Sequence, residues 1–316
     1  MEKTCFLFAG QGSQYPQMGT ELAGHFPEAR RIFETGSDIL GFDLLKACAE
    51  YSAQELAQTE VSQPAIMATS LAAYEAVKSL GILPDMVAGH SLGEYAAMTA
   101  AGMLSLEDAF RVIRERARAM GECARHQDGA MYAVLGLSAD EAAAVCEKTD
   151  GFVIPVNFNS PVQTVIAGEA GAVDRAVAVF AEMGKRTAKL AVSAAFHSKL
   201  MQPAADDLKT AIAGIPFAVP TIDFYSNLTG EKMTDFSDMP AYLAKHLVSP
   251  VQFVKELKAI QAAGASRFIE CGPNKVLTGL VRKTLSGVSY ANVEDLKTLE
   301  KLKGSSKIGG AVTKCF

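Results

Sequence analysis

The feature that most constrains the fold is the run Gly-His-Ser-Leu-Gly at residues 89–93. A short apolar run at residues 85–88 precedes it, and residues 92–101 follow with the alanine-rich composition of a helix. Between a strand and a helix, the sequence G-x-S-x-G is typical of a nucleophile elbow, a sharp turn that exposes the serine hydroxyl above the sheet. The pattern therefore predicts a strand-turn-helix unit with Ser91 as a candidate nucleophile. The motif alone leaves one alternative, a glycine-flanked turn in which Ser91 only caps a helix.

The composition is that of a globular, enzyme-sized chain. It has 316 residues, of which 49% are hydrophobic and 21% are charged, enough for one large core or two modest ones. The formal net charge of -5 argues against extensive binding to nucleic acid or to an anionic membrane. No apolar run approaches the roughly 18 residues of a membrane span, and residues 1–4 lead into a strand rather than a signal peptide. We therefore expect a cytoplasmic protein.

The six cysteines lie far apart in the sequence, and none forms a C-x-x-C pair. This spacing disfavours both a disulfide framework and a zinc site. We expect reduced thiols and no bound metal at Cys5, Cys48, Cys123, Cys146, Cys271 and Cys315.

Strand and helix patterns alternate along most of the chain, which predicts a mostly parallel α/β sheet. Residues 4–8 form an apolar run that ends in a Gly-rich loop. Residues 65–80 form a helical pattern, with Pro64 at its start and Gly81 just past its end, as helix termini prefer.

The pattern changes between residues 127 and 192. There the order becomes strand, helix, strand, strand, helix, strand, which is that of a ferredoxin-like unit. The capping box of Ser138 and Glu141 starts its first helix. We expect an inserted small domain at residues 127–192, a large domain formed by residues 1–126 and 193–303, and a flexible tail at residues 304–316.

A serine nucleophile needs a base within hydrogen-bond reach, and the chain has five histidines. His197 is the strongest candidate, because it lies where the chain returns from the insert to the large domain and starts a new helix. A structural role for His197 is the alternative. His90 adjoins Ser91, but neighbouring side chains of an elbow point in different directions. The histidines in polar, helix-end contexts are expected at the surface; they are His25, His126 and His246.

Arg116 differs from the other arginines of the helix predicted at residues 105–125. At about 100° per residue it falls about 140° from Arg111, in an apolar stripe. A buried guanidinium keeps its charge and is costly to leave unpaired, so it should meet a carboxylate or a phosphate. That partner is either an internal Asp or Glu or a substrate carboxylate. The solvated face, to which we assign no chemistry, comprises Arg111, Arg114, Arg118 and Arg125.

Two other enzyme classes fit the sequence less well. Gly10 and Gly12 after a strand suggest a dinucleotide fold, but Tyr15 occupies the third glycine position of G-x-G-x-x-G. A simple serine hydrolase explains the elbow but not the buried arginine. Between Ser91 and His197 no convincing triad acid is found, since the candidate aspartates fall in the predicted insert.

With these residues in view, the sequence closely resembles the malonyl-CoA:acyl carrier protein transacylases of bacterial type II fatty-acid synthesis. The similarity extends from Phe6 to about Leu302. Its landmarks are residues 8–14, 63–65 and 89–95, Arg116, and residues 129–131, 155–161, 196–197, 250–252 and 270–277.

The resemblance implies catalytic roles for four residues. Ser91 would accept the malonyl group, and His197 would be the base that activates it. The backbone N–H groups of Gln11 and Leu92 would form the oxyanion hole.

It also implies how the substrate and the base are held. Arg116 would bind the free malonyl carboxylate, and a backbone carbonyl near Gln252 would orient the histidine in place of a triad acid. Phe196 occupies a position where, in related polyketide acyltransferases, an aromatic residue accompanies malonyl selection.

The resemblance implies an α/β-hydrolase-like large domain with a ferredoxin-like insert. It also implies a ping-pong reaction that transfers the malonyl group from malonyl-CoA to the phosphopantetheine thiol of acyl carrier protein, with no cofactor. The alternatives are a free-standing polyketide synthase acyltransferase with the same catalytic residues, or a thioesterase that releases free acid. A non-catalytic scaffold fits poorly with so complete a set of residues.

Overall fold

The computed structural model describes residues 2–192 and 194–309. They form a mixed α/β protein with one mostly parallel sheet and one smaller antiparallel sheet. The strands are β1 (Lys3–Phe8), β2 (Met86–Gly89), β3 (Gly129–Leu135), β4 (Val153–Ser160), β5 (Gln163–Glu169), β6 (Arg186–Lys189), β7 (Asp223–Ser226), β8 (Glu231–Lys232), β9 (Ala265–Cys271) and β10 (Ser289–Val293). The helices are α1 (Thr20–His25), α2 (Pro27–Leu40), α3 (Leu44–Glu50), α4 (Ala53–Leu56), α5 (Thr59–Ser79), α6 (Gly93–Ala100), α7 (Leu106–Arg125), α8 (Ala139–Lys148), α9 (Ala170–Glu182), α10 (Gln202–Ala211), α11 (Met239–Leu247), α12 (Phe253–Ala262), α13 (Val276–Thr284) and α14 (Leu296–Gly309).

The larger sheet has the strand order β10-β9-β1-β2-β7-β8, and only the β7–β8 pair is antiparallel. β1 and β2 are central and pair from Cys5 opposite Met86 to Phe8 opposite Gly89. Parallel strands end at the same edge of a sheet, where α/β proteins place their sites. The elbow after β2 and the Gly-rich loop after β1 are therefore neighbours at this carboxyl edge.

Strand β1 is buried on both faces. Phe6 and Phe8 belong to a core that includes residues of α2, α5 and α7, whereas Cys5 and Leu7 belong to a second core with residues of α12 and α13. A strand covered by helices on both faces needs apolar residues at every position rather than at alternate ones. This requirement explains the continuous apolar run in the sequence.

The smaller sheet has the order β4-β5-β3-β6, and all its pairs are antiparallel. Its chain order of strand, helix, strand, strand, helix, strand is the predicted one. The capping box at the start of α8 is present, with Ser138 and Glu141 each bonding the other's backbone N–H. Backbone hydrogen bonds from Phe158 N to Val251 O (3.0 Å) and from Val251 N to Val156 O (2.8 Å) attach β4 to the rest of the protein.

Three predicted boundaries differ from the structure. Helix α5 begins at Thr59, so Pro64 lies inside it rather than at its start; the buried side chains around Pro64 favour the helix despite the missing N–H. After His197 a 3₁₀ turn, Lys199–Met201, precedes α10.

The third difference concerns the tail. Residues 304–309 continue α14 rather than forming the predicted flexible segment, and the buried Leu299 and Leu302 anchor this helix to the core. The rest of the predicted tail, residues 310–316, lies outside the described residues.

No helix in the described part of the chain is long and apolar enough to cross a membrane. The five cysteines of that part are buried and free. Cys315 lies outside it.

Candidate active site

The two elbow glycines are required by close backbone contacts. A Cβ added to Gly89 would lie 2.0 Å from the carbonyl carbon of Gly93, and one added to Gly93 would lie 2.0 Å from the backbone oxygen of Phe8. Real side chains do not approach backbone atoms so closely, and backbone atoms cannot move aside as a flexible side chain can. The predicted strand-turn-helix unit is present, with β2 before the turn and α6 after it.

Ser91 lies at the turn with φ 52°, in the left-handed region that residues other than glycine seldom adopt. Its backbone N–H donates to Asn227 Oδ1 at 2.7 Å. Such strained conformations persist only where the surroundings fix them, and they concentrate at functional sites.

His197 is within hydrogen-bond reach of the serine, with Ser91 Oγ 2.7 Å from His197 Nε2. The other ring nitrogen, Nδ1, faces the backbone oxygens of His246 at 3.1 Å and Ser249 at 3.2 Å. Carbonyl oxygens only accept hydrogen bonds, so Nδ1 must carry the proton. Nε2 is then unprotonated and accepts the Ser91 hydroxyl proton, which is the arrangement that a general base requires.

The prediction that a carbonyl near Gln252 orients the base needs correction. The backbone oxygen of Gln252 accepts from Glu256 N as part of α12. The carbonyls that meet Nδ1 come instead from His246, in the last turn of α11, and from Ser249 just after it. The last carbonyls of a helix have no partner within it, so they are available to an imidazole N–H.

The buried site holds His197 in its neutral form. Burial first, and then the positive charge of Arg116, lower the pKa of His197 from 6.5 to about 3. A cation is costly to form in a buried site and beside another cation. The free imidazole is therefore ready to accept a proton at neutral pH.

Arg116 lies in the buried stripe of α7, with 1% of its surface exposed. Its Nη1 donates to Gln63 Oε1 at 2.6 Å, and its Nη2 donates to Ser91 Oγ at 3.2 Å. The guanidinium lies 5.1 Å from the centre of the Tyr95 ring, and Nε has no hydrogen-bond partner among the residues that the structure describes. Within the described residues Arg116 forms no ion pair with a carboxylate. The internal Asp or Glu partner that the sequence allowed for Arg116 is therefore absent among these residues.

Gln11 and Leu92 flank the serine as the resemblance implied. Gln11 follows β1 and lines the cavity above Ser91, while Leu92 is the N-cap of α6. Neither backbone N–H donates a hydrogen bond to another described residue. The loop that carries Gln11 is fixed by hydrogen bonds from Ser13 Oγ to Gly10 O at 2.7 Å and from Asn274 Nδ2 to Ser13 O at 2.8 Å.

A cavity of about 290 Å³ opens above Ser91 and His197. Phe196 lies in its wall directly before the histidine and is 7% exposed. The wall is mostly apolar; besides Phe196, its apolar side chains include Met120, Met131, Val165, Leu190, Val192 and Leu280.

Sequence reasoning missed three polar residues of the site. Gln63 holds Arg116, and Asn227 holds the elbow. His246, expected at the surface, is fully buried and lends its carbonyl to His197. Its helix-end position carried no sign of burial. Gln63 belongs to the landmark at residues 63–65, but the sequence pattern indicates no role for its side chain.

His90 lines the cavity, with its Nε2 2.7 Å from Asn159 Oδ1, whereas the other arginines of α7 take no part in the site. The exposed arginines of α7 form surface ion pairs; Arg111 pairs with Asp108, and Arg125 with Glu60. Within the described residues no group of three or more His, Cys, Asp or Glu side chains is arranged to hold a metal ion.

The sequence is similar to those of known acyl transferases. The acyl transferase domain family matches residues 5–305. A relative from Bacillus subtilis, named malonyl CoA-acyl carrier protein transacylase, is 40% identical over 304 residues, which is 95% of this chain and 96% of the relative. The chain belongs to this family of acyl transferases.

Other members of the family agree in sequence and in structure. The malonyl CoA-acyl carrier protein transacylase of Escherichia coli K12 is 39% identical over 93% of this chain and 97% of its own. The transacylase structure from Clostridium perfringens has a TM-score of 0.93 at 36% identity and covers 98% of this chain and 99% of its own. A malonyl-transacylase solved in complex with a type II polyketide synthase acyl-carrier protein has a TM-score of 0.91 at 35% identity, and the match covers 96% of this chain and 100% of that one. The similarity to these relatives thus extends over nearly the whole length of this acyltransferase.

Proposed function

We propose that the protein transfers the malonyl group from malonyl-CoA to the phosphopantetheine thiol of acyl carrier protein, through a malonyl ester on Ser91. One observation carries this proposal. Ser91 Oγ lies between His197 Nε2 at 2.7 Å and Arg116 Nη2 at 3.2 Å. An activated hydroxyl therefore adjoins a buried cation that forms no ion pair with a carboxylate among the described residues, and an acyl donor ending in a carboxylate would supply that partner.

The first half of the reaction forms the acyl-enzyme. Ser91 Oγ attacks the thioester carbon as its proton passes to His197 Nε2. The backbone N–H groups of Gln11 and Leu92 would donate to the oxygen that becomes negative. The C–S bond then breaks, and CoA leaves as a thiol with the proton from His197, which leaves a malonyl ester on Ser91.

The second half repeats these steps with a different nucleophile. His197 takes the proton of the phosphopantetheine thiol, and the sulfur attacks the ester carbon. The bond between the acyl carbon and Ser91 Oγ breaks, and Ser91 Oγ regains its proton from His197. One thioester replaces another, so the two half-reactions balance without a cofactor.

Arg116 has two tasks in this scheme. Its guanidinium would bind the free malonyl carboxylate in bidentate fashion and so select a dicarboxylic acyl group. By fixing the acyl group at both ends, it would also orient the ester toward the incoming thiol rather than toward water.

We assign the fold to an α/β-hydrolase-like large domain, residues 1–126 and 193–303, with a ferredoxin-like domain inserted at residues 127–192. The parallel sheet with its elbow supports the first assignment. The order of the antiparallel sheet supports the second, because a ferredoxin-like unit places its first and third strands side by side at the centre, as β3 and β5 are here. We place the reaction in the cytoplasm, with no nucleic acid or membrane involved.

A second candidate acceptor is a polyketide carrier protein. One structural relative was solved with such a carrier protein bound. The chemistry at Ser91 is the same for both acceptors, so the difference would lie in the docking of the carrier.

The direct test is a transfer assay that separates acceptors. The protein is incubated with malonyl-CoA and either a holo fatty-acid carrier protein, a holo polyketide carrier protein, or no carrier, and free CoA and malonyl-carrier are measured. We expect rapid transfer to the fatty-acid carrier and little CoA release without a carrier. Fast CoA release with free malonate in the carrier-free reaction would indicate a thioesterase and contradict the proposal.

A further inference from the structure

Asn227 contacts the elbow on both sides of its turn. It follows β7 and is fully buried. Its Oδ1 accepts from the backbone N–H of Ser91 at 2.7 Å, and its Nδ2 donates to the backbone oxygen of Gly89 at 2.6 Å. A donor on one side and an acceptor on the other fix the orientation of the amide.

These contacts begin where the sheet ladder stops. β2 and β7 pair from Met86 opposite Asp223 to Val87 opposite Phe224. Beyond Val87, β2 continues along β1 to Gly89 but has no further ladder partner in β7, and the elbow follows. The amide of Asn227 takes the place of such a partner and spans the strained residue Ser91.

The same residue is tied to the segment that orients the base. Its backbone oxygen accepts from Gln252 N at 2.8 Å, and Oδ1 lies 3.4 Å from Nε2 of His246. His246 in turn gives its carbonyl to His197 Nδ1. Asn227 therefore contacts the turn that carries the nucleophile and the helix end that holds the base.

Two buried carboxyl groups keep Asn227 in place. Glu256 Oε2 accepts from Asn227 Nδ2 at 2.8 Å, and Glu94 Oε1 accepts from the Asn227 backbone N–H. Tyr242 Oη also donates to Glu94, at 3.0 Å from Oε2. Every polar atom of the Asn227 side chain thus has a partner, so the amide cannot rotate without losing several hydrogen bonds.

We propose that Asn227 is the positioning residue that sets Ser91 against His197 for acyl transfer. This inference rests on the proposed roles of Ser91 and His197. Asn227 bonds the backbone of the elbow, and none of the described hydrogen bonds joins it to the hydroxyl of Ser91 or to Arg116. Its loss should therefore slow the chemical step and leave the binding of malonyl-CoA largely unchanged.

The test compares Asn227→Ala and Asn227→Asp with the wild type and with Leu299→Ala. Asn227→Asp keeps the shape and the acceptor for Ser91 N–H but removes the donor to the backbone oxygen of Gly89 and to Glu256. Leu299 is buried in α14 beside β10, at the opposite end of the larger sheet from β7, so its substitution reports a general loss of stability. Single-turnover malonylation, the KM for malonyl-CoA and the thermal midpoint are measured, with rates taken well below the lowest midpoint.

We expect the malonylation rate to fall by at least about 10-fold in both Asn227 variants, since a displacement near 1 Å costs on the order of 10²-fold in such steps. The KM should change by less than about 3-fold, because uniform substrate binding is unaffected. Leu299→Ala should lower the thermal midpoint and keep the wild-type rate. Should Asn227→Ala fail to fold, Asn227→Asp decides. A wild-type rate in a folded Asn227 variant, or an equal loss of rate in Leu299→Ala, would overturn the inference.

A fluorophosphonate probe separates this result from a failure of the proposed function. The probe reports the reactivity of Ser91 without needing a malonyl group. If the wild type reacts with the probe but not with malonyl-CoA, the proposed substrate is wrong. In that case a slower probe reaction in Asn227→Asp still supports the positioning role, and an unchanged one refutes it.

Discussion

Arg116 is the residue on which substrate choice should depend. We expect Arg116→Ala to lose malonyl-CoA activity and to gain relative preference for acetyl-CoA, because acetyl lacks the carboxylate that the guanidinium would bind. Removing one partner of a desolvated, hydrogen-bonded ion pair typically costs about 2–5 kcal/mol. The measurement is kcat/KM for both thioesters in both proteins. An equal ratio in wild type and variant would show that Arg116 has only a structural role.

Gln63→Glu is a matched variant for this prediction. It keeps the size of the side chain whose oxygen lies 2.6 Å from Arg116 Nη1, but supplies an internal carboxylate. We expect the new carboxylate to compete with the malonyl group for the guanidinium, so that the selectivity for malonyl-CoA falls while Arg116 remains in place.

The neutral state of His197 leads to a prediction on pH dependence. Burial, together with the charge of Arg116, lowers the pKa of His197 to about 3. The free enzyme should therefore keep its base unprotonated, and kcat/KM for malonylation should stay nearly flat as the pH falls from about 8 to about 5. An ordinary histidine base would lose half its activity near pH 6.5. An acid limb with that midpoint would contradict the assigned environment.

The same shift has a consequence for stability. Between the ordinary pKa and the lowered one, the unfolded chain binds a proton at His197 that the folded protein does not. The contribution of His197 to stability is therefore present above about pH 6.5 and is lost as the pH falls toward about 3.

Phe196 is expected to set the size of the acyl group. Its ring forms part of the cavity wall beside His197, where an α-methyl group on the malonyl unit would need space. We expect Phe196→Ser to weaken the preference for malonyl-CoA over methylmalonyl-CoA by about 1–3 kcal/mol, at some loss of overall rate. Phe196→Leu, which keeps most of the volume, should retain the preference. Competition assays with both thioesters test this, and efficient methylmalonyl transfer by the unaltered protein would refute it.

At the scale of elements, the elbow depends on the contact between α6 and the end of β1. A Cβ at Gly93 would meet backbone oxygen of Phe8 at 2.0 Å. We expect Gly93→Ala to destabilise the fold by at least about 3 kcal/mol, at the high end for single substitutions. Gly279→Ala is the control, because Gly279 lies in α13 with no atom within 4 Å of an added Cβ. Thermal unfolding of both variants tests this; a stable Gly93→Ala would show that the elbow tolerates a wider separation.

The elements that the sequence predicted well are those with strong local patterns. β1 is apolar from Cys5 to Phe8 because both faces of this stretch are covered, and α7 shows a clear apolar stripe that includes Arg116. The sequence predicts that α5 starts at Pro64, because proline usually marks a first turn, whereas packing around Pro64 favours a helix that begins at Thr59. At the start of α5, tertiary contacts that the local sequence does not show therefore decide the boundary.

At the scale of the whole molecule, the site is assembled from segments far apart in the chain. Ser91 carries a motif, and Arg116 breaks a pattern, so both could be found from the sequence. His197 was supported by its position and by the resemblance. Asn227 and the buried His246 could not be found, because neither breaks a local pattern and their roles arise only when β7 and α11 meet the elbow.

The larger and smaller sheets also meet at this site. Val251 pairs with the backbone of β4 only two residues after Ser249, whose carbonyl lies 3.2 Å from His197 Nδ1. The antiparallel sheet is thus attached close to the segment whose carbonyls face His197 Nδ1. Its strands also line the cavity above Ser91, through Met131 and Val165. Both sheets therefore shape the space in which the acyl group would be transferred.

The most direct test of the account is intact-mass analysis after mixing the protein with malonyl-CoA in the absence of a carrier protein, followed by peptide mapping. We predict a mass increase of one malonyl group on Ser91, its removal on addition of holo carrier protein, and no adduct in Ser91→Ala. A malonyl group at another residue, or an adduct of the same yield in Ser91→Ala, would contradict the central claim.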